Sequence, residues 1–165
     1  MTLGLLLKLL HILAAFWMIS GVVGRDFTFW RAARTTDVHA VHALLHTSDF
    51  FERWAVIPVS MAVLVLGVAT AWIQRWPMFG VLQGANTNWL FVSLVMFLGV
   101  TAAIPLLRLI PRRQRRAQAL EAAMTQGKIT AELTAALNDR VVTVFRAVEL
   151  VVLVVIIGLM AAKPF

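Results

Sequence analysis

Residues 141–162 read VVTVFRAVELVVLVVIIGLMAA, an aliphatic run in which only Arg146 and Glu149 carry charge. About 20 apolar residues take an α-helix across a bilayer, so this run is read as one span. Three windows of similar character lie at about 3–24, 54–75 and 88–110. The chain as a whole is 61% hydrophobic and 14% charged, with a mean hydropathy of +0.85. That is too apolar for a soluble domain of ordinary composition. Inside hydrocarbon every backbone N–H and C=O has to be bonded within the protein, which leaves helices or a closed barrel. The runs lack the two-residue alternation of barrel strands. The sequence therefore predicts an all-α protein, a single four-span domain over residues 1–165: a four-helix integral membrane bundle with amphipathic cytoplasmic connecting helices.

The first window is longer than the roughly 7–15 apolar residues of a signal peptide and has no small-x-small cleavage site after it, so it reads as a span. The absence of cysteine excludes disulfides, thiolate metal sites and cysteine nucleophiles. Basic residues set the expected topology. The connections after the first and third spans hold Arg25, Arg31, Arg34, Arg53, Arg108, Arg112, Arg113, Arg115, Arg116, Lys128 and Arg140, against Lys8, Arg75 and Lys163 on the other side. By the positive-inside rule the two basic connections are cytoplasmic. The expectation is a multi-pass protein of a bacterial inner (cytoplasmic) membrane with both termini outside. A pI near 11.5 then needs no nucleic acid to explain it. The run from Arg112 to Arg116 suits anionic lipid headgroups, at about 1 kcal/mol per basic residue.

The connections carry helix signals of their own. Thr35-Thr36-Asp37 offers a cap, after which His39, His42, His46, Asp49 and Arg53 fall on one face and Val41, Leu44, Leu45 and Phe51 on the other. This predicts an amphipathic helix at the cytoplasmic interface that leads into the second span. A helix over Arg113–Thr125 should stop near Gly127, and Thr130 should cap another that runs through Arg140 into the fourth span. The outer connection from Trp76 to Asn88, with Pro77, Gly80, Gly84 and Asn86, reads as a turn beside an aromatic belt of Trp72, Trp76 and Trp89. Pro58 and Pro105 should kink the second and third spans near their cytoplasmic ends, freeing carbonyls for Arg53 or Arg108.

Titratable groups at bilayer depth are the candidate functional residues, because each costs roughly 2.5–3.5 kcal/mol unless it is partnered or faces a cavity. His11 shares a helical face with Ala14, Ala15, Met18, Val22 and Arg25. It suits either a hydrogen bond to a neighbouring helix or a haem ligand in a four-helix bundle. Arg25 lies about 21 Å further along the same face by helix rise, too far to meet the propionates of a haem on His11. Glu149 suits a structural ion pair with Arg146 one turn earlier, a proton relay or a substrate contact. His39, His42 and His46 have helical spacing, yet one straight helix cannot wrap its ligands around an ion, and a solvated polar face is the simpler reading.

The segments Leu9-Leu10-His11-Ile12, Trp17-Met18, Phe51-Glu52-Arg53 before Pro58 and Met61, Phe145-Arg146 with Glu149, and Lys163-Pro164-Phe165 together resemble the HemJ-type protoporphyrinogen oxidases. More closely, the whole chain resembles a sister family of small bacterial integral membrane proteins of unknown function, with the copper-resistance D membrane domain a further cousin. The resemblance implies a four-helix membrane bundle with haem b as cofactor and His11 on the haem iron. The candidate cofactor-binding set is then His11, Met18, Arg25, Arg146 and Glu149. HemJ-type enzymes carry histidine and lysine in the third helix, where this chain offers only Ser93 and Thr101, so the oxidase reaction itself is not expected. Two other readings stay open. One is an accessory subunit, with membrane-protein partners or as a homo-oligomer. The other is a copper or solute transport component, although Met18, Met61, Met78, Met96 and Met160 are scattered rather than clustered.

The topology is checked by single cysteines introduced at Gly84 and at Gly127 in this cysteine-free chain. With an impermeant thiol reagent on intact cells, the first is expected to label and the second to be protected; the reverse pattern would invert the topology.

Overall fold

The computed structural model describes residues 2–84, 88–103 and 110–163. Among these residues all regular structure is helical, in the order α1 (Leu3–Ala32), α2 (Val38–Phe51), α3 (Ile57–Ile73), α4 (Trp89–Leu98), α5 (Ile110–Gln126), α6 (Ala131–Leu137) and α7 (Arg140–Ala162). Three stretches are long and apolar enough to cross a membrane: Leu3–Ala32, Val38–Ile73 and Ala131–Ala162. The apolar helix Trp89–Thr101 is shorter. Pro105, Arg108 and Asn86 lie outside the described residues, as do Pro164 and Phe165.

Apolar side chains cover the outside of the long helices. Phe16, Trp17, Trp54, Val65, Trp72 and Val154 are all more than 60% exposed, an outer surface suited to lipid contact. The inward stripe of α1 is the one its periodicity demands, with Met18, Val22 and Arg25 buried and Ala14 and Ala15 packed against the same core. α1 packs along α3, α4 packs along α7, and α1 also meets α7.

Three expectations about boundaries need correction. α1 runs past residue 24 to Ala32. The helical stretch of the second span begins at Val38 rather than near residue 54, because α2 leads directly into it, as expected. α2 is joined to α3 by a π-helical turn over Glu52–Val56, and it packs along α1 through Val38, Val41, Leu45 and Ser48. Within this turn Ile57 N–H donates to the Glu52 carbonyl. Pro58 follows at the start of α3 and has no N–H to offer, so the ladder of the second span is reset here. The fourth span does not continue α6, because Asp139 turns its carboxylate onto the Val141 N–H at 2.8 Å and starts α7 afresh.

The expected caps are present elsewhere. Asp37 accepts from His39 N–H and Ala40 N–H, and Thr130 accepts from Leu133 N–H. α5 stops at Gly127 (φ +65), with Gly127 N–H donating to Met124 and Lys128 N–H to Ala123. The left-handed backbone at Gly84 and Gly127 means that labelling cysteines sit with less strain at Gln83 and Lys128. α5 and α6 then fold back over α1 and α2, where Ala119, Ala123, Leu133 and Leu137 join Phe29, Ala32, Val41 and Leu45 in one core. The basic connection is thus a packed cap.

Gly21 fixes how closely α1 approaches the chain entering α3. A Cβ at this position would stand 2.6 Å from the Ala55 Cβ and 3.3 Å from the Ala55 carbonyl carbon, whereas one at Gly24 would meet only the tip of the Phe51 ring. Backbone cannot step aside as a ring can. Gly21→Ala is therefore expected to lower stability by about 1–3 kcal/mol and Gly24→Ala by less, read from thermal unfolding in detergent. Equal effects would contradict this packing.

Candidate functional site

Arg25 is 6% exposed, and its guanidinium is shared among three carboxylates from three places in the sequence. Nε donates to Asp26 at 2.8 Å, Nη1 to Glu52 at 2.9 Å and Nη2 to Glu149 at 2.5 Å. Arg146 donates to Asp26 at 3.0 Å, and Arg113 closes the outer side of Glu52 at 2.5 Å. Three guanidiniums thus meet three carboxylates in a charge-balanced cluster that joins α1, the π turn before α3, α5 and α7. Phe29 lies beneath it, with the Arg146 guanidinium 3.8 Å from its ring centre and that of Arg116 at 5.3 Å. Around the rim Arg116 pairs with Asp49 and Arg112 with Asp139. Burial draws the Arg116 pKa down from its ordinary value while Asp49 opposes the shift; a guanidinium stays cationic throughout. The space enclosed by Arg25, Glu52, Arg113, Arg116 and Arg146 is only about 30 Å³, enough for water and too small for a cofactor.

The room for a ligand is elsewhere. Between α1, α3, α4 and α7 lies a cavity of about 570 Å³ with almost wholly apolar walls, within the roughly 300–1,000 Å³ of ordinary ligand pockets. His11 is on its wall, and apart from Lys8 and Lys163 it is the only titratable side chain among the described residues that line it. The His11 Nδ1–H donates to the Val63 carbonyl at 3.0 Å. A carbonyl only accepts, so the proton is on Nδ1 and the lone pair of the neutral ring is on Nε2. Gly67 makes space for the ring against α3, since a Cβ there would be 3.0 Å from His11 Cε1. The cavity's hydroxyls are turned away, Ser93 donating to the Trp89 carbonyl and Thr70 to the Leu66 carbonyl, each at 2.7 Å.

The structure brings the sequence candidates together as two groups rather than one. His11 and Met18 line the cavity, while Arg25, Arg146 and Glu149 belong to the ionic cluster. The expected pairing of Arg146 with Glu149 is replaced by Arg146 with Asp26 and Glu149 with Arg25, because α1 presents both partners to α7. In the basic run, Arg112, Arg113 and Arg116 pair with Asp139, Glu52 and Asp49, while Arg113 and Arg115 stay exposed. His39, His42 and His46 are exposed, and among the described residues no three His, Cys, Asp or Glu side chains come close enough to hold one metal ion. Sequence reasoning missed Asp26, Glu52 and Arg113 as members of the cluster and Gly67 as the seat of His11; charged residues bordering the apolar runs and a lone glycine in an apolar helix were the available signals.

Removing one member of a buried ionic group leaves its partners charged and unpaired, at a cost of about 3–5 kcal/mol. Arg25→Ala is expected to fall in that range by reversible unfolding in detergent, and Glu149→Gln to cost far less in the Arg25→Ala background than in the wild type. Strict additivity of the two changes would refute a shared cluster.

Neither a curated protein nor a solved structure matches the chain. A family model described as "Predicted integral membrane protein (DUF2269)" matches residues 5–164. The apolar exterior, the three long apolar helices and this near-complete match agree, and the chain belongs to the DUF2269 family of predicted integral membrane proteins.

Proposed function

We propose that this protein is a four-span haem b protein of the bacterial cytoplasmic membrane, with both termini and the adjoining end of the cavity outside and His11 as the residue that would hold the haem iron. The observation that carries the reading is the His11 Nδ1–H bond to the Val63 carbonyl on the wall of an apolar cavity of about 570 Å³. Metal-ligating histidines nearly always donate their second ring N–H to a carbonyl or carboxylate, which holds the ring and leaves the other nitrogen basic. The cavity's size and apolar lining fit a tetrapyrrole, and the resemblance to HemJ-type proteins selects the same histidine. Haem held there supplies a one-electron redox centre.

The remaining roles belong to the chain itself. Val63 fixes the tautomer of His11 and Gly67 gives the ring its place. Met78 and Met160 bring thioethers to the cavity from elements other than α1. Phe97, Leu153 and Ile156 keep water from the walls. The third-helix histidine and lysine of HemJ-type enzymes have no equivalents here, and the proposal includes no porphyrinogen oxidation.

Protein expressed with adequate haem is expected to show a Soret band that His11→Ala abolishes while the variant still inserts and elutes as the wild type does. A haem-free wild type, or an unchanged spectrum in His11→Ala, would overturn the assignment.

A further inference from the structure

The cavity's charges all have one sign. Lys8, in the second turn of α1, and Lys163, which follows the last residue of α7, both line it, at the end of the bundle that carries the termini. All eight acidic residues of the chain lie within 26–52 and 121–149, toward the opposite end. Among the described residues neither lysine has a carboxylate partner. Lys163 instead holds its ammonium 4.4 Å from the Trp76 ring centre and 5.7 Å from that of Trp89. Cation–π contact positions an ammonium and leaves its charge uncancelled. Lys8 is one helical turn before His11 on the same face, about 4.5 Å away by helix rise. Two fixed positive charges therefore border an apolar chamber that contains a nitrogen donor.

We propose that Lys8 and Lys163 are the recognition site for the carboxylates of an amphipathic ligand whose apolar body fills the cavity. Resting on the haem reading above, this makes the ligand a tetrapyrrole dicarboxylate, with its propionate edge at the terminal end and its apolar edge toward Phe97 and Leu153. The same arrangement excludes entry from the other end, where the ionic cluster and its 30 Å³ space admit no ligand. The ligand is exchanged through the lysine-bordered mouth.

The test compares haem with its dimethyl ester, which keeps the iron and the macrocycle but has no carboxylate charge. Binding is followed by absorbance titration into apo-protein in nanodiscs of neutral phosphatidylcholine. Exposed ion pairs contribute a few tenths to one kcal/mol each, so the wild type is expected to prefer the diacid over the ester by about three- to thirtyfold more than a Lys8→Ala/Lys163→Ala variant does. Lys8→Arg/Lys163→Arg is expected to keep the preference. Ester binding retained by the alanine variant reports an intact cavity; if it is lost, the single variants Lys8→Gln and Lys163→Gln read the same ratio. A ratio equal in wild type and variants, the result expected if these lysines only reach toward lipid phosphates, overturns the recognition site while a His11-dependent Soret band leaves the haem reading standing. Absence of any haem binding overturns both.

Discussion

One guanidinium holds this fold in register. Arg25 is buried with its guanidinium directed at Asp26, Glu52 and Glu149, so those carboxylates have to be within reach whenever the protein is folded. Those three come from α1 itself, from the junction between α2 and α3, and from α7. Sliding any one helix by a turn would move a carboxylate about 5.4 Å and leave two charges unpaired in a medium of low dielectric. Apolar contacts alone would set no such register, since aliphatic side chains slide over one another and over lipid tails with little preference. The cluster gives the bundle a unique arrangement; the close approach at Gly21 then brings α1 against the chain that enters α3.

The two ends of the molecule consequently differ in kind. One is cross-linked by ions and roofed by α5 and α6, whose apolar faces close on α1 and α2. The other has few polar bonds between helices and keeps a chamber open. A bundle that has to contain a cavity loses packing energy where the cavity is, and the ionic end supplies order that the hollow end lacks. His11 belongs to the hollow end yet is held by a backbone carbonyl, which no side-chain substitution on α3 removes.

Much of this architecture is legible in the residues. The inward face of α1 follows from 100° steps starting at His11, and Asp37, Thr130 and Gly127 act at helix ends as their chemistry requires. Ion pairing was not legible. From sequence, Arg146 and Glu149 are neighbours at i and i+3, and only the packing of α1 on α7 shows that each has a better partner across the interface. The same applies to Arg112, Arg113 and Arg116, a basic run whose partners are 61 to 67 residues away or at the N-cap of α7. The π turn carries no compositional mark except Pro58 just after it. Lys163 reads as a terminal basic residue until the two tryptophans that hold it are brought together by the fold.

That π turn also lets chain length vary at Glu52–Val56 independently of the packing on either side. A π turn takes up one residue more than the α-helical turn it replaces, and the helices at its two ends keep nearly the same relative orientation. Deleting one residue from it would return the segment to uniform α winding and leave the buried face of α2, Val38, Val41, Leu45 and Ser48, against α1. A gap of one residue in this segment is therefore a length difference that homologous chains can carry between α2 and α3 without repacking either helix.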